Sequence, residues 1–157
     1  MKLVKIDLSN VQAIVGLNVR DDQQSFVASN RDSLVEAYAT LASGRVALPF
    51  GLYDGDIPVG FVMIGYDVLD DGDPQIARGN YCLWRLMIDA RYQGRGLGRQ
   101  AVQAAMDYIR TMPCGPAEKC WLSYEPENTV ARRLYEQFGF RETGEMDGEE
   151  IVAAVDL

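Results

Sequence analysis

Apolar positions recur along the chain with two spacings, and each change of spacing marks an element. A short apolar run around Leu3–Asp7 reads as an opening strand. Ser9, with Gln12 three residues on, has the form of a capping box, and Val11, Ile14, Val15 and Leu17–Val19 place a helical stripe behind it. The stretch Arg20–Asn30 is polar, after which helical spacing resumes over Ser33–Leu41 through Leu34, Ala37, Tyr38 and Leu41. Three β-rich runs follow, Val46–Tyr53, Val59–Leu69 and Tyr81–Ile88. Asp54-Gly55 signals a turn between the first two, so the three read as an antiparallel meander. From Leu97 the helical spacing returns through Ala101, Val102, Ala105, Tyr108, Ile109 and Met112, until Pro113 stops it. A strand over Lys119–Tyr124, a helix over Thr129–Phe138 with Gly139 as a left-handed cap, and terminal strands near Phe140–Thr143 and Ile151–Leu157 complete the chain. The order, of the ββααβββαβαββ kind, predicts an α/β fold. A mixed, mostly antiparallel sheet is joined to a parallel strand-helix-strand unit and flanked by helices.

Length and composition narrow this further. The 157 residues suffice for one core without staples, and with no repeat, low-complexity tract or linker the expectation is a single domain over residues 1–157. The balance of 15 Lys+Arg against 23 Asp+Glu, a net charge of -8, disfavours nucleic acid and anionic membranes as partners. A cationic small molecule suits it better, although the same acidity also serves solubility. The absence of histidine removes imidazole-based triads and the usual zinc ligand sets, and no metal site is expected. Cys82, Cys114 and Cys120 are odd in number and form no CxxC, which favours buried thiols in a reducing compartment over bridges. With no signal-peptide core in MKLVKIDLSN and no apolar run near ~20 residues, a cytoplasmic protein is expected. Asp70-Asp71-Gly72-Asp73-Pro74 lacks the ligand spacing of a calcium loop and reads as a solvated loop.

The informative segment is Gln93-Gly94-Arg95-Gly96-Leu97-Gly98, between the apolar strand Tyr81–Ile88 and the helix that begins near Leu97. Glycines allow backbone N–H groups to converge on a phosphate, and the dipole of the following helix favours negative charge there. Arg91, Arg95 and Arg99 reverse the local sign of an acidic chain. No GxxxxGK[ST] exists, and the dinucleotide fingerprint would need glycine at position 99, which is arginine. What remains is Gln/Arg-x-x-Gly-x-Gly, matched by Gln93, Gly96 and Gly98. On letters alone it could be a plain turn, and its context favours a phosphate cradle.

This turn, together with Asn128-x-x-Ala131-x-x-Leu134-Tyr135-x-x-x-Gly139-Phe140, resembles the GNAT superfamily of N-acetyltransferases. The resemblance covers about Val46 to Leu157. It implies acetyl-CoA as cosubstrate, with its pyrophosphate on the turn Gln93, Gly94, Arg95, Gly96, Leu97, Gly98 and Arg99. It further implies a splay between the fourth and fifth strands, with an oxyanion met by backbone N–H groups near Leu86, Met87 and Ile88. Asn128 would contact the pantetheine arm, and Tyr135, beside the sulfur, would protonate the departing thiolate as general acid. A homodimer is possible by analogy. The stretches Gln23–Ala28, Ser33-Leu34, Ala37-Tyr38, Arg85–Asp89 and Tyr92–Gly94 are similar to bacterial diamine and spermine/spermidine acetyltransferases, which implies a polyamine acceptor. Asp21, Asp22 and Glu36 are then the candidate carboxylates for binding it.

Each residue also has a plainer reading. Tyr135 could simply pack with Leu134 and Phe138 on an apolar helix face, and Leu86, Met87 and Ile88 are ordinary strand residues. Some relatives carry a basic glutamate on the fourth strand, where this chain has Trp84, so Glu125 becomes the candidate base. Its plainer reading, a solvated loop carboxylate, is the one favoured by residue type alone, and a water chain to solvent fits the letters as well. Cys120 lacks a histidine partner and is a poor nucleophile. The expected activity is direct acetyl transfer to a primary amine. Its alternatives are transfer to a protein amino group or amino acid, or a CoA-binding module without catalysis.

Overall fold

The fold is described from a computed structural model, which covers residues 1–68 and 72–157. Leu69, the expected end of the second β-rich run, and Asp70 and Asp71 of the acidic segment lie outside the described residues. The chain forms β1 (Lys2–Lys5), α1 (Val11–Val15), α2 (Asn30–Ala42), β2 (Val46–Asp54), β3 (Ile57–Tyr66), β4 (Tyr81–Ile88), α3 (Leu97–Ile109), β5 (Lys119–Tyr124), α4 (Thr129–Glu136), β6 (Arg141–Asp147) and β7 (Glu150–Asp156). One strand rather than two precedes the helices. The sheet runs β1-β2-β3-β4-β5-β7-β6, antiparallel throughout except for the parallel β4–β5 pair. Among the described residues no helix is long and apolar enough to cross a membrane.

Side chains alternate across this sheet and build a core on each face. Under α3 and α4 lie Leu52, Val62, Ile64, Tyr81, Leu83, Leu122 and Phe140, and α3 adds Leu97, Ala101, Val102, Ala105, Met106 and Ile109 from its buried stripe. Under α1 and α2 lie Ile14, Leu17, Ala37, Phe61, Met63 and Met87.

The helix starts differ from the sequence expectation for local reasons. Ser9 does not cap α1, because its hydroxyl and its amide N–H both donate to Asp7 and the cap position falls to Asn10. Helix α2 begins at Asn30, with Ser29 Oγ accepting from the amide of Asp32 at 3.1 Å. Buried Asn30 then donates from Nδ2 to the Ile14 carbonyl at 2.8 Å, tying α1 to α2.

The feature that shapes the site is where β4 and β5 part. They pair only at Tyr81↔Cys120 and Cys82↔Trp121, after which β4 stays with β3 to Ile88 and β5 stays with β7 to Tyr124. Residues 83–88 and 122–124 therefore flank a gap, which is the splay expected from the resemblance. A β-bulge sits at its start, since β3 pairs Met63 with Arg85 and Ile64 with Leu83, skipping Trp84. A bulge puts two successive side chains on one face and bends the strand. Trp84 and Arg85 thus stand side by side, the guanidinium 5.6 Å from the indole centroid.

Candidate active site

The glycine turn is built as a backbone cradle. Gly94 and Gly96 have φ of +75° and +76°, left-handed conformations that strain any side-chain-bearing residue, and Gly96 is the N-cap of α3. The amides of residues 94–99 find no acceptor within the protein among the described residues, so this end of α3 offers its N–H groups outward. Gln93 anchors the turn, donating from Nε2 to the Ile88 carbonyl (2.8 Å) and to Gln23 Oε1 (2.9 Å). The arginines divide their work. Arg91 is bound to Asp89 (Nε–Oδ1 2.8 Å), whereas exposed Arg95 lies 5.7 Å from the Tyr92 ring centroid and Arg99 is exposed. Leu97 points into the core.

Asp89 is a positioning residue that sequence reasoning missed. Its carboxylate accepts from the Asn18 amide (3.0 Å), the Arg91 amide (3.0 Å) and the Arg91 guanidinium, and its own amide donates to Val59. Burial alone would raise its pKa, but the Arg91 side chain and the two amides outweigh it and hold it below the ordinary carboxylate value. An aspartate closing a strand two residues ahead of an arginine is a local turn signal that could have found it.

A groove of about 530 Å³ runs from this turn through the gap. It is lined by Gln93, Gly94 and Gly98, by Leu86, Met87 and Ile88 of β4, by Arg20, Gln23 and residues 25–28, and by Asn128, Leu134 and Tyr135. Because the Asp89 amide turns toward β3, strand alternation turns the backbone groups of Ile88 and Leu86 toward the gap. Asn128 caps α4, its Oδ1 accepting from Ala131 at 3.2 Å. Tyr135 is 9% exposed, packed against Tyr124 and Phe140 with centroids at 6.2 and 5.8 Å, and its hydroxyl has no protein hydrogen bond among the described residues. Burial pushes its pKa well above that of a free phenol, and the nearby Glu150 carboxylate adds to the rise. Tyr124, which sequence reasoning did not single out, also lines the groove. Burial and its bond to Glu142 push its phenol up to about 12. Cys120 is fully buried and pushed up to about 12, so it stays a thiol.

On the α2 side of the bulge the groove meets a second cavity of about 550 Å³. Glu36, Asp73, Glu125, Asp147, Glu149 and Glu150 line it with Trp84, Trp121 and Ser123, and among the described residues Arg85 is its one cation. Glu36 reaches it but is engaged by Arg85 at 3.0 Å. Asp21 and Asp22 line neither cavity. They sit on an exposed turn, Asp22 paired with Arg20 (3.2 Å) and Asp21 accepting from Gln24 (3.3 Å). Glu125 lines this cavity but not the groove, and partial burial together with Glu150, Glu127 and Glu149 raises its pKa. Asp73 comes from the segment before β4, and the remaining three carboxylates come from the β6–β7 hairpin, where Asp147 pairs with Glu150 across Gly148 and Glu149. Ser123 Oγ sits between them, donating to Glu150, with Asp147 Oδ2 at 3.3 Å. The strand expected at Phe140–Thr143 is extended by this polar arm, and Asp147-Gly148 is the turn signal that marks it.

The chain belongs to the acetyltransferase (GNAT) family, whose profile matches residues 16–140. It is an N-acetyltransferase, and the groove with its open amide cradle suits acetyl-CoA. Among curated proteins it is similar to spermine/spermidine N(1)-acetyltransferase of Bacillus subtilis strain 168, at 34% identity over 146 residues, 91% of this chain and 90% of that protein. Among solved structures it shares its fold with aminoglycoside acetyltransferase AAC(6')-Ib in complex with coenzyme A (TM-score 0.78, 18% identity, covering 99% and 94% of the two chains). It shares it also with the PaiA N-acetyltransferase of Thermoplasma acidophilum in complex with coenzyme A (TM-score 0.67, 13% identity, 99% and 98%).

Proposed function

We propose that the enzyme transfers acetyl from acetyl-CoA directly to a primary amine of a polycationic small molecule such as spermine or spermidine. The observation that carries this reading is the acidic, tryptophan-walled cavity meeting the groove at Trp84, Arg85, Ser123 and Glu150. Carboxylates there suit several ammonium groups at once, and a cation over an indole face adds about 0.5–2 kcal/mol. The relative named spermine/spermidine N(1)-acetyltransferase supports the same substrate class.

Bound acetyl-CoA supplies an activated acyl carbon and a thiolate leaving group. The 94–99 amides hold its diphosphate, with Arg95 and Arg99 lending charge from the rim, and Asn128 holds the pantetheine arm. The N–H groups of Leu86 and Ile88 stabilise the negative oxygen that develops at the acyl carbon. Tyr135 stays protonated and delivers its proton to the sulfur. Asp147, Glu149 and Glu125 hold the amine's distal charges, while Asp21 and Asp22 act only through their field at the protein's edge. CoA release measured across an amine panel tests the reading. Spermine and spermidine should give a higher kcat/KM than monoamines, amino acids or peptides. Faster turnover of an amino acid or a peptide amino group would reassign the acceptor, and thermal stabilisation by CoA without turnover would leave a binding module.

A further inference from the structure

We infer that Glu150 is the base that takes the proton from the acceptor ammonium, the role for which sequence reasoning offered Glu125. This rests on the acetyl-transfer reading of the site. Among the described residues Glu150 is the one carboxylate that lines both the groove and the acidic cavity, so it stands where an amine entering from the cavity meets an acyl group held in the groove. Its carboxylate is oriented by the Ser123 hydroxyl on β5 and fixed in place by the register of the β6–β7 hairpin.

Elimination within the groove gives the same residue. The chain has no histidine. The remaining ionisable side chains lining the groove are Arg20, Arg85, Tyr124 and Tyr135. The two arginines are cations, Tyr124 donates to Glu142, and Tyr135 is needed as the acid. Glu125 lines the cavity and not the groove. The groups facing Glu150 are Ser123 on β5, Asp147 and Glu149 on its own hairpin, Glu125 after β5, Arg85 on β4 and Tyr135 on α4.

The proton count closes. Of the three protons on the ammonium, one passes to Glu150 and on to solvent through the acidic cavity. The freed lone pair forms the C–N bond as the C–S bond breaks. The second proton leaves nitrogen through solvent and restores the Tyr135 phenol, whose own proton has gone to sulfur. The third remains on the amide.

The test is the pH profile of kcat/KM for the wild type and Glu150→Gln, which keeps the shape and an acceptor for Ser123. The wild type should be level from neutral pH up to the titration of the amine at about pH 10. Glu150→Gln should lose about 10²–10⁴-fold at pH 7, as expected for a missing general base. It should regain activity about tenfold per pH unit, because only free amine reacts, while CoA-induced thermal stabilisation stays unchanged. If Glu150→Gln does not fold, Glu150→Asp carries the test, with a lower but level profile expected and a sloped one overturning the role. A Glu150→Gln protein within threefold of wild type at pH 7 overturns the inference alone. A wild type that releases CoA with no amine overturns the acetyl-transfer reading and this inference with it.

Discussion

At the scale of single residues, chemistry depends on protonation states set by burial. Tyr135 is shut into the groove wall beside Tyr124 and Phe140, and losing water disfavours phenolate far more than phenol. The phenol therefore holds its proton at neutral pH, and as the proposed acid it would give that proton up as negative charge develops on the departing sulfur. Tyr135→Phe removes one oxygen from a packed site, so packing barely changes while the proton source vanishes. Turnover should fall by about 10²–10⁴-fold with little change in the affinity for CoA measured by calorimetry. Retention of activity within a few-fold would return Tyr135 to a packing role. Such a residue was legible in the sequence only through the motif around it, because Leu134 and Phe138 give Tyr135 an equally good reason to be apolar. Glu150 was not legible. Nothing in Gly148-Glu149-Glu150-Ile151 announces chemistry until the hairpin register and the splay bring it beside Ser123.

At the scale of elements, strongly periodic segments were read from the chain to the residue, as with β4 and β5, whereas polar element starts were not. The first turn of α2 is Asn30-Arg31-Asp32, with no apolar stripe to mark it. The outer arm of β6 is an exposed edge strand whose alternation carries no hydrophobic signal. Asp89 shows what holds such elements in register. It joins the end of β4, the segment after α1 and the turn leading to α3 through one buried carboxylate. Its folded pKa lies below the ordinary value, so its contribution to stability is present above about pH 4, the range of an unfolded aspartate, and is lost as pH falls through the depressed folded value. Asp89→Asn should therefore cost about 1–3 kcal/mol at pH 7 by leaving buried donors poorly matched. Denaturant unfolding from pH 7 down to pH 3 should show that cost shrinking below pH 4. A cost independent of pH would mean that packing, not charge, is what Asp89 supplies.

At the scale of the molecule, the net charge of -8 is unevenly distributed. Arginines gather around the glycine turn, and carboxylates gather in the cavity where Asp147, Glu149 and Glu125 stand around two tryptophans. A polyamine approaching this face is drawn by several charges at once, and a monoamine by its single charge. Steering of this kind is screened by salt, since the Debye length falls from about 10 Å at 0.1 M to about 3 Å at 1 M. Raising ionic strength over that range should therefore increase KM for spermine about tenfold or more while changing KM for a monoamine little. Asp147→Asn combined with Glu149→Gln should flatten the spermine response. Asp21→Asn with Asp22→Asn should flatten it less, because those carboxylates line neither cavity and Asp22 is already paired with Arg20. Equal salt sensitivity for both amines would rule out the acidic cavity as the polyamine site and leave acetyl transfer standing.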